Sequence, residues 1–401
     1  MRTHDVKNLY REYVLPTYRQ IDVCLVKGKG SRVWDLQGKE YVDFFPGWGV
    51  SGLGHCHPAV VSALKDQAAK MLHISNNYLN LKQARLAEEI VKQAFPAKVF
   101  FANSGAEVSE AAIKFARKFG SSSGRYEIVS MENSFHGRTL AAITATGQTK
   151  YQKGFDPLPG GFLYVPLNDL AALKAKVGPK TVAIMLELIQ GEGGINVAEG
   201  NYVKEVRKLC DEKNILLVID EVQTGMGRTG RIFDYQHYGI EPDLMTLAKS
   251  LGGGVPIGAL LVHNKVAGDI LGPGSHAATY GGNPLVCAAA LAVFKAIRKE
   301  RLLKNVEIMG KYLWEGLAAL KNKYAFVKEL RGRGLMLGLE LDRPGGPVVE
   351  RARELGLLLN CTQEKVIRIM PAINVTKRLI DQALRILDQA IASVSPTEAK
   401  A

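Results

Sequence analysis

The chain has 401 residues, 47% of them hydrophobic and 23% charged, an ordinary balance for a soluble globular protein of two domains or of one large domain with a smaller appendage. Its longest apolar run, Leu285–Phe294, is ten residues, which excludes a membrane-spanning helix, and its first twenty residues lack the apolar core of a secretory signal, so a cytoplasmic location is expected. The net charge of +13 favours anionic partners, but no dense Lys/Arg run interleaved with aromatics occurs, so small anionic substrates are expected and nucleic acid is not.

Residues 1–60 read as an irregular arm with short strands that turn at Gly28, Gly30 and Gly38. The five cysteines (Cys24, Cys56, Cys210, Cys287 and Cys361) are scattered, odd in number and free of CxxC pairing, which argues for reduced thiols and no zinc site. His55-Cys56-His57 lies between Gly54 and Pro58 and reads as a turn. Helices are predicted from Pro58 and over Gln83–Phe95. The apolar runs 182–189 and 215–219, with a helical pattern over Tyr202–Glu212 between them, have the βαβ rhythm of a parallel sheet covered on both faces. From about residue 300 the pattern becomes α+β: helices over Val293–Arg301 and Met309–Lys323, strands at 334–341 and in GLLLN and KVIRIM, and a final helix over Thr376–Ser393. The last residues, PTEAKA, are expected to fray. These patterns divide the chain into an arm that joins a small domain (1–60), a large domain (61–300) and a C-terminal α+β domain (301–401).

Three stretches carry chemistry. In FFANSGAEVSEAAIKFARKFG, a strand end leads through Ser104 and Glu107, an S-x-x-E helix start, into an apolar stripe of Val108, Ala112, Phe115 and Phe119. Gly105 allows a tight turn, and a helix N-terminus so entered is a ready anion site. In ILLVIDEVQTGMGRTG, an apolar strand ends on Asp220 and Glu221, where ligands sit in an open parallel sheet. Its GMGRTG also matches a dinucleotide fingerprint, which would suggest a nicotinamide dehydrogenase, but RIFDYQHYGIEPD behind it is aromatic and broken, unlike the long helix that motif needs. In DLMTLAKSLGGGVPIGALL, the next strand ends at Lys249, 29 residues after Asp220. A lysine in an apolar, desolvated site has a lowered pKa and becomes a nucleophilic amine. An anion cradle, a strand-end aspartate and a strand-end lysine are together what pyridoxal 5′-phosphate needs: a seat for phosphate, a carboxylate for the pyridine nitrogen and an amine for the aldehyde.

With NSGAE, SFHGRT, IQGEGG, DEVQTGMGRTG, TLAKSLGGGVPIGA, TYGGNPL and RGRGLMLG, the chain resembles the class III, fold-type I pyridoxal-phosphate aminotransferases, specifically the acetylornithine aminotransferase group, over roughly residues 10–390. The resemblance implies an α/β fold with a mostly parallel central sheet covered by helices and a smaller α+β domain. It implies catalytic roles for Lys249, Asp220 and Glu192. Lys249 would bond the cofactor, Asp220 would pair with its ring nitrogen and Gln223 would contact its ring hydroxyl. Ser104, Gly105 and Ala106 would hold the phosphate, with Phe135 and Val222 on the two ring faces. Thr279 would reach the cofactor of a neighbouring subunit, so a homodimer with shared sites is expected. Arg138 and Arg368 would bind substrate carboxylates, with Glu192 as a gate that masks Arg368.

The expected reaction is amino exchange between an ω-amine, N2-acetylornithine first, and 2-oxoglutarate/glutamate, in arginine biosynthesis. Other ω-amines stay open: succinylornithine, N-succinyl-diaminopimelate, ornithine, 4-aminobutyrate or a carrier-bound lysine precursor. So does a mutase or epimerase on the same fold. A non-catalytic binding protein is disfavoured by the presence of Lys249, Asp220 and Arg138 together. Departures from the family pattern fall at Leu188, Ser109, Asn77-Tyr78-Leu79, Ala278, Ile369 and Ala372, and bear on substrate identity rather than on the cofactor set.

Overall fold

The computed structural model describes residues 2–394; the expected fraying of PTEAKA lies outside the described residues. The centre is a seven-stranded sheet in the order Ala97–Ala102, Gly258–His263, Leu244–Leu247, Leu216–Asp220, Thr181–Leu186, Glu127–Met131, Phe162–Val165. All neighbouring pairs are parallel except those made by Gly258–His263, which runs antiparallel to both its neighbours. Every residue of Thr181–Leu186, Leu216–Asp220 and Leu244–Leu247 is buried. That is why these strands read as unbroken apolar runs rather than as alternations: both faces of the sheet are covered. Each fully buried Leu, Ile or Val side chain contributes about 1.5–3 kcal/mol.

One cover is the helix Gly105–Gly120, which buries Val108, Ala112 and Phe115 against the strands. On the other side, Pro284–Lys299 packs against Pro58–Ala68 and Leu81–Gln93. It contains the ten-residue apolar run, and Asn283 caps it by accepting the Val286 N–H at 3.1 Å. Among the described residues no helix is long and apolar enough to cross a membrane.

A second, antiparallel sheet takes Val327–Arg333, Met336–Leu341, Val366–Ile369 and Asn360–Thr362 in that order. A third holds Leu25–Lys29, Arg32–Asp35 and Glu40–Asp43, and its fourth strand is Leu357–Leu358, paired in parallel with Val42 and Asp43. The two ends of the chain are thus joined in one sheet. Arg228, fully buried in the turn after Asp220, donates to the carbonyls of Leu335 and Pro371 and so ties the central sheet to the second one.

Several local expectations need correction. The arm begins with a helix, Thr3–Tyr13, that buries none of its residues although Val6, Leu9, Tyr10 and Tyr13 recur at helical spacing; its short pattern beside the strand-like stretches hid it. The run 182–189 is not one strand: pairing stops at Leu186, and Ile189–Gln190 starts a separate hairpin with Asn196–Val197. The helix expected at Val293–Arg301 begins at Pro284, and that expected at Met309–Lys323 begins at Leu302. The reading of GMGRTG holds: it forms turns followed by a single short 3-10 turn, Asp234–His237, with no long helix behind it. His55-Cys56-His57 is a turn, and the described residues contain no metal-binding cluster.

Candidate active site

The carboxyl ends of the parallel strands open on a cavity of about 470 Å³. Asp220 ends its strand opposite Thr246 of the next one. It is only 4% exposed, and both its oxygens are engaged by neighbours. The Val222 N–H and the Thr246 hydroxyl each donate to Oδ1 at 3.0 Å, and His136 Nδ1 lies 2.7 Å from Oδ2. Burial pushes the Asp220 carboxyl up, but the bond and charge of His136 outweigh it and hold the group below its ordinary value. His136 answers in kind: burial acts to lower it, Asp220 raises it, and the net shift is upward. Each partner thus favours the charged form of the other, buried side by side. His136 Nε2 has no partner among the described residues. Within SFHGRT, nothing in the sequence assigns His136 a role beyond its place directly after Phe135.

Lys249 follows the strand Leu244–Leu247 by two residues and opens the short turn Lys249–Leu251. Its φ is +43°, a left-handed conformation unusual for a lysine and of the kind that gathers at functional positions. Its side chain lines the cavity, and the residue is half-buried. Burial, the largest influence, lowers its pKa; Arg368 adds to this, while Glu192, Asp220 and Glu187 oppose it. Lys249 makes no ion pair among the described residues, which keeps the amine available.

Ser104 caps the helix Gly105–Gly120, its Oγ accepting the Glu107 N–H at 3.2 Å, while the Glu107 carboxylate reaches back to the Asn103 N–H at 2.7 Å. This is the helix start read from S-x-x-E, with the Glu107 bond falling one residue before the cap rather than on the cap itself. It leaves the first-turn amides of the helix at the cavity wall, where Ser104, Gly105 and Ala106 all appear. Gly105 is needed for close approach: a Cβ there would lie 3.0 Å from Val222 Cγ1.

Arg368 comes from the second sheet and is completely buried. Its Nη1 donates to Glu192 Oε1 at 2.7 Å and to Gln223 Oε1 at 3.2 Å; its Nη2 donates to Asn360 Oδ1 at 2.8 Å. The guanidinium lies 4.6 Å from the Phe45 ring centre. Arg138 differs in exposure and in its lack of a carboxylate partner among the described residues: it is exposed and stacks over Tyr151 at 4.1 Å. Tyr151 in turn meets Phe135 edge-on at 5.7 Å.

The cavity thus brings together Ser104, Gly105, Ala106, Phe135, Arg138, Glu192, Asp220, Val222, Gln223 and Lys249. Arg368 joins them through Glu192 and Gln223. Thr279 does not: it is exposed, in a loop whose carbonyls at Ala278 and Gly281 accept from Asn76. Beyond His136, sequence reasoning missed Glu187, Asn360 and Tyr151, none of which lies in a stretch with a chemical signal of its own.

The family model for aminotransferase class III matches residues 13–391. The chain belongs to the class III aminotransferases. Among similar proteins of this class, the acetylornithine aminotransferase of Caldanaerobacter subterraneus is 52% identical, with 96% of this chain and 98% of the relative covered. The protein of the same name from Methanocaldococcus jannaschii is 50% identical over 96% of this chain and 98% of its own length. Of solved structures, an ornithine aminotransferase from Toxoplasma gondii superposes with a TM-score of 0.94 at 34% identity, covering 98% of this chain and 96% of that one. An N-acetylornithine aminotransferase from Stenotrophomonas maltophilia superposes at 0.82 with 39% identity, covering 96% and 98%.

Class III aminotransferases carry pyridoxal 5′-phosphate, and the residues present fit it. The cavity offers a helix N-terminus, a buried carboxylate held below its ordinary value by His136, and an amine lowered by burial. Those are the groups required by the phosphate, the ring nitrogen and the aldehyde.

Proposed function

We propose that the chain transfers an amino group between an ω-amine, N2-acetylornithine first, and 2-oxoglutarate/glutamate, as a step of arginine biosynthesis. The observation that carries this reading is the contrast between two arginines at one cavity. Arg138 is exposed and unpaired by any carboxylate among the described residues, whereas Arg368 is buried and masked by Glu192 at 2.7 Å. A substrate with one carboxylate uses Arg138 and leaves the mask in place. Glutamate has two, and its second displaces Glu192 from Arg368, since a guanidinium fork pairs equally well with either carboxylate. One cavity then serves a terminal amine in one half-reaction and an α-amine in the other. The names of the relatives at 44–52% identity support acetylornithine as the ω-amine.

Ser104, Gly105 and Ala106 would hold the cofactor phosphate, Phe135 and Val222 would flank its ring, and Gln223 would meet the ring hydroxyl. Asp220 would keep the ring nitrogen protonated, with His136 holding that carboxylate ionised. Bound pyridoxal 5′-phosphate supplies an aldehyde that takes up the amino group and a ring that accepts the electrons released when the substrate carbon loses its proton. Lys249 Nζ, desolvated and without an ion pair among the described residues, would take that proton and return it. Thr279, exposed and outside its own cavity, would serve the site of a second copy in a homodimer. A cytoplasmic location suits a reaction between small metabolites.

The test is spectroscopic. The purified holoenzyme should absorb near the visible edge, glutamate should bleach that band, and acetylornithine should bleach it faster than other ω-amines. No band in the wild type, and no difference in Lys249→Ala, would overturn the reading. Faster bleaching by free ornithine would favour a second one, for which the structural likeness to ornithine aminotransferases speaks.

A further inference from the structure

Glu187 stands one residue beyond the strand Thr181–Leu186, beside Asp220, because Leu186 pairs with Ile219. It is buried, it lines the cavity, and no lysine or arginine pairs with it among the described residues. Its two oxygens instead serve two different stretches of backbone. Oε2 accepts the N–H of Phe135 at 2.8 Å, and Oε1 accepts the N–H of Gly191 at 3.2 Å. Phe135 is the ring-flanking residue; Gly191 immediately precedes Glu192.

The rest of that hairpin is held just as firmly. The Glu192 carbonyl accepts from Thr362 Oγ1 at 2.6 Å and Gln363 Nε2 at 2.8 Å. The Gly194 carbonyl accepts from Arg331 Nε at 2.8 Å, and Gln190 Nε2 donates to the Glu132 carbonyl at 2.7 Å. A Cβ on Gly191 would collide with the Gln223 amide, so the backbone is also packed tightly on that side.

We propose that Glu187 is a positioning residue for the gate: it locks the backbone of Phe135 and of the Glu192 hairpin in one register, so that Arg368 is released by rotation of the Glu192 side chain over a fixed main chain. The inference rests on the reading of Glu192 and Arg368 as a gate. It explains why a carboxylate is buried here without a lysine or arginine partner. Two N–H groups converge on the position, and only a carboxylate offers both an acceptor. A glutamine turns an NH2 toward one of them and leaves one bond unmade.

The experiment compares wild-type holoenzyme with Glu187→Gln, Glu192→Gln and the double variant. Three quantities are read: the ratio of glutamate to acetylornithine half-reaction rates, the dissociation constant of glutarate (an unreactive dicarboxylate) by calorimetry, and the cofactor dissociation constant. Glu187→Gln should shift the rate ratio toward glutamate by about tenfold and tighten glutarate several-fold, because Arg368 is less well masked. The double variant should shift no further than Glu192→Gln, since both changes act through one carboxylate. Cofactor affinity should fall in Glu187→Gln, through Phe135, and hold in Glu192→Gln. Equal loss in both half-reactions, or additive shifts in the double variant, would overturn the proposal. Thr362→Val, which removes a different anchor of the Glu192 carbonyl, should shift the ratio the same way by a smaller factor and serves if Glu187→Gln does not fold. Glutarate binding needs no turnover. If wild-type enzyme ignores glutamate, the proposed function fails, while unchanged glutarate affinity in Glu187→Gln would sink this inference separately.

Discussion

Replacing Glu192 by glutamine removes a charge and little else. Arg368 keeps Asn360 Oδ1 at 2.8 Å and Gln223 Oε1 at 3.2 Å, and the shorter-ranged amide of the variant side chain still offers it a carbonyl oxygen. What is lost is the attraction of a carboxylate for a guanidinium that is 0% exposed. At an effective dielectric near 20, two unit charges about 4 Å apart attract by ~4 kcal/mol. The Glu192 side chain is 18% exposed, so solvent screens part of this. With the hydrogen bond retained, the masking of Arg368 should weaken by about 2 kcal/mol. That converts to roughly thirtyfold in the ratio of kcat/KM for glutamate to kcat/KM for acetylornithine. The assay follows bleaching of the cofactor band in stopped flow, one substrate at a time. The reasoning requires the two half-reactions to respond unequally. If both slow by the same factor, or neither changes, Glu192 does not gate Arg368.

His136→Phe leaves Asp220 without its charged neighbour. The Asp220 carboxyl should titrate higher, and the acid limb of the pH–rate profile should move toward neutrality, with kcat lowered roughly ten- to hundredfold; an unmoved limb would show that His136 is not what holds Asp220 ionised. Ser104→Ala removes the cap of Gly105–Gly120 and should cost about 1 kcal/mol of stability together with weaker cofactor retention, checked by thermal melts and cofactor titration. The cofactor-free chain should lose stability as pH rises from about 4.5 to about 8. Burial pushes Glu221 up to about 8 and Glu187 up to about 7, and Asp220 raises His136 against its burial. Each group binds its proton more tightly folded than unfolded, so its contribution is full at low pH and is lost as pH climbs through that window. His237 and His276, lowered mainly by burial, act in the opposite sense below about 6.5, and Lys249, also lowered by burial, opposes the decline at higher pH, so the slope of a variant against wild type is the quantity to read. Glu221→Gln should flatten the decline; an equal slope in the variant would refute the assignment.

The sequence by itself determined whatever depends on local pattern. The apolar runs at 182–189 and 215–219 announced buried parallel strands, because a strand covered on both faces has no reason to alternate, though the first strand stops at Leu186. Ser104 and Glu107 announced a helix start, because their side chains satisfy amides only a few residues away. Asp220 and Lys249 were legible as strand-end residues, because each directly ends or follows such a run. The tertiary structure decided what depends on distant partners. It joined Leu357–Leu358 to Val42–Asp43. It brought Arg368 of the second sheet against Glu192 of a hairpin beyond the central one. It paired His136 with Asp220 across 84 positions of the chain. It also placed Glu187 just beyond a strand, with its carboxylate accepting the amides of Phe135 and Gly191. Buried charges take their pKa and their role from whatever packs against them, and no spacing along the chain encodes that neighbour.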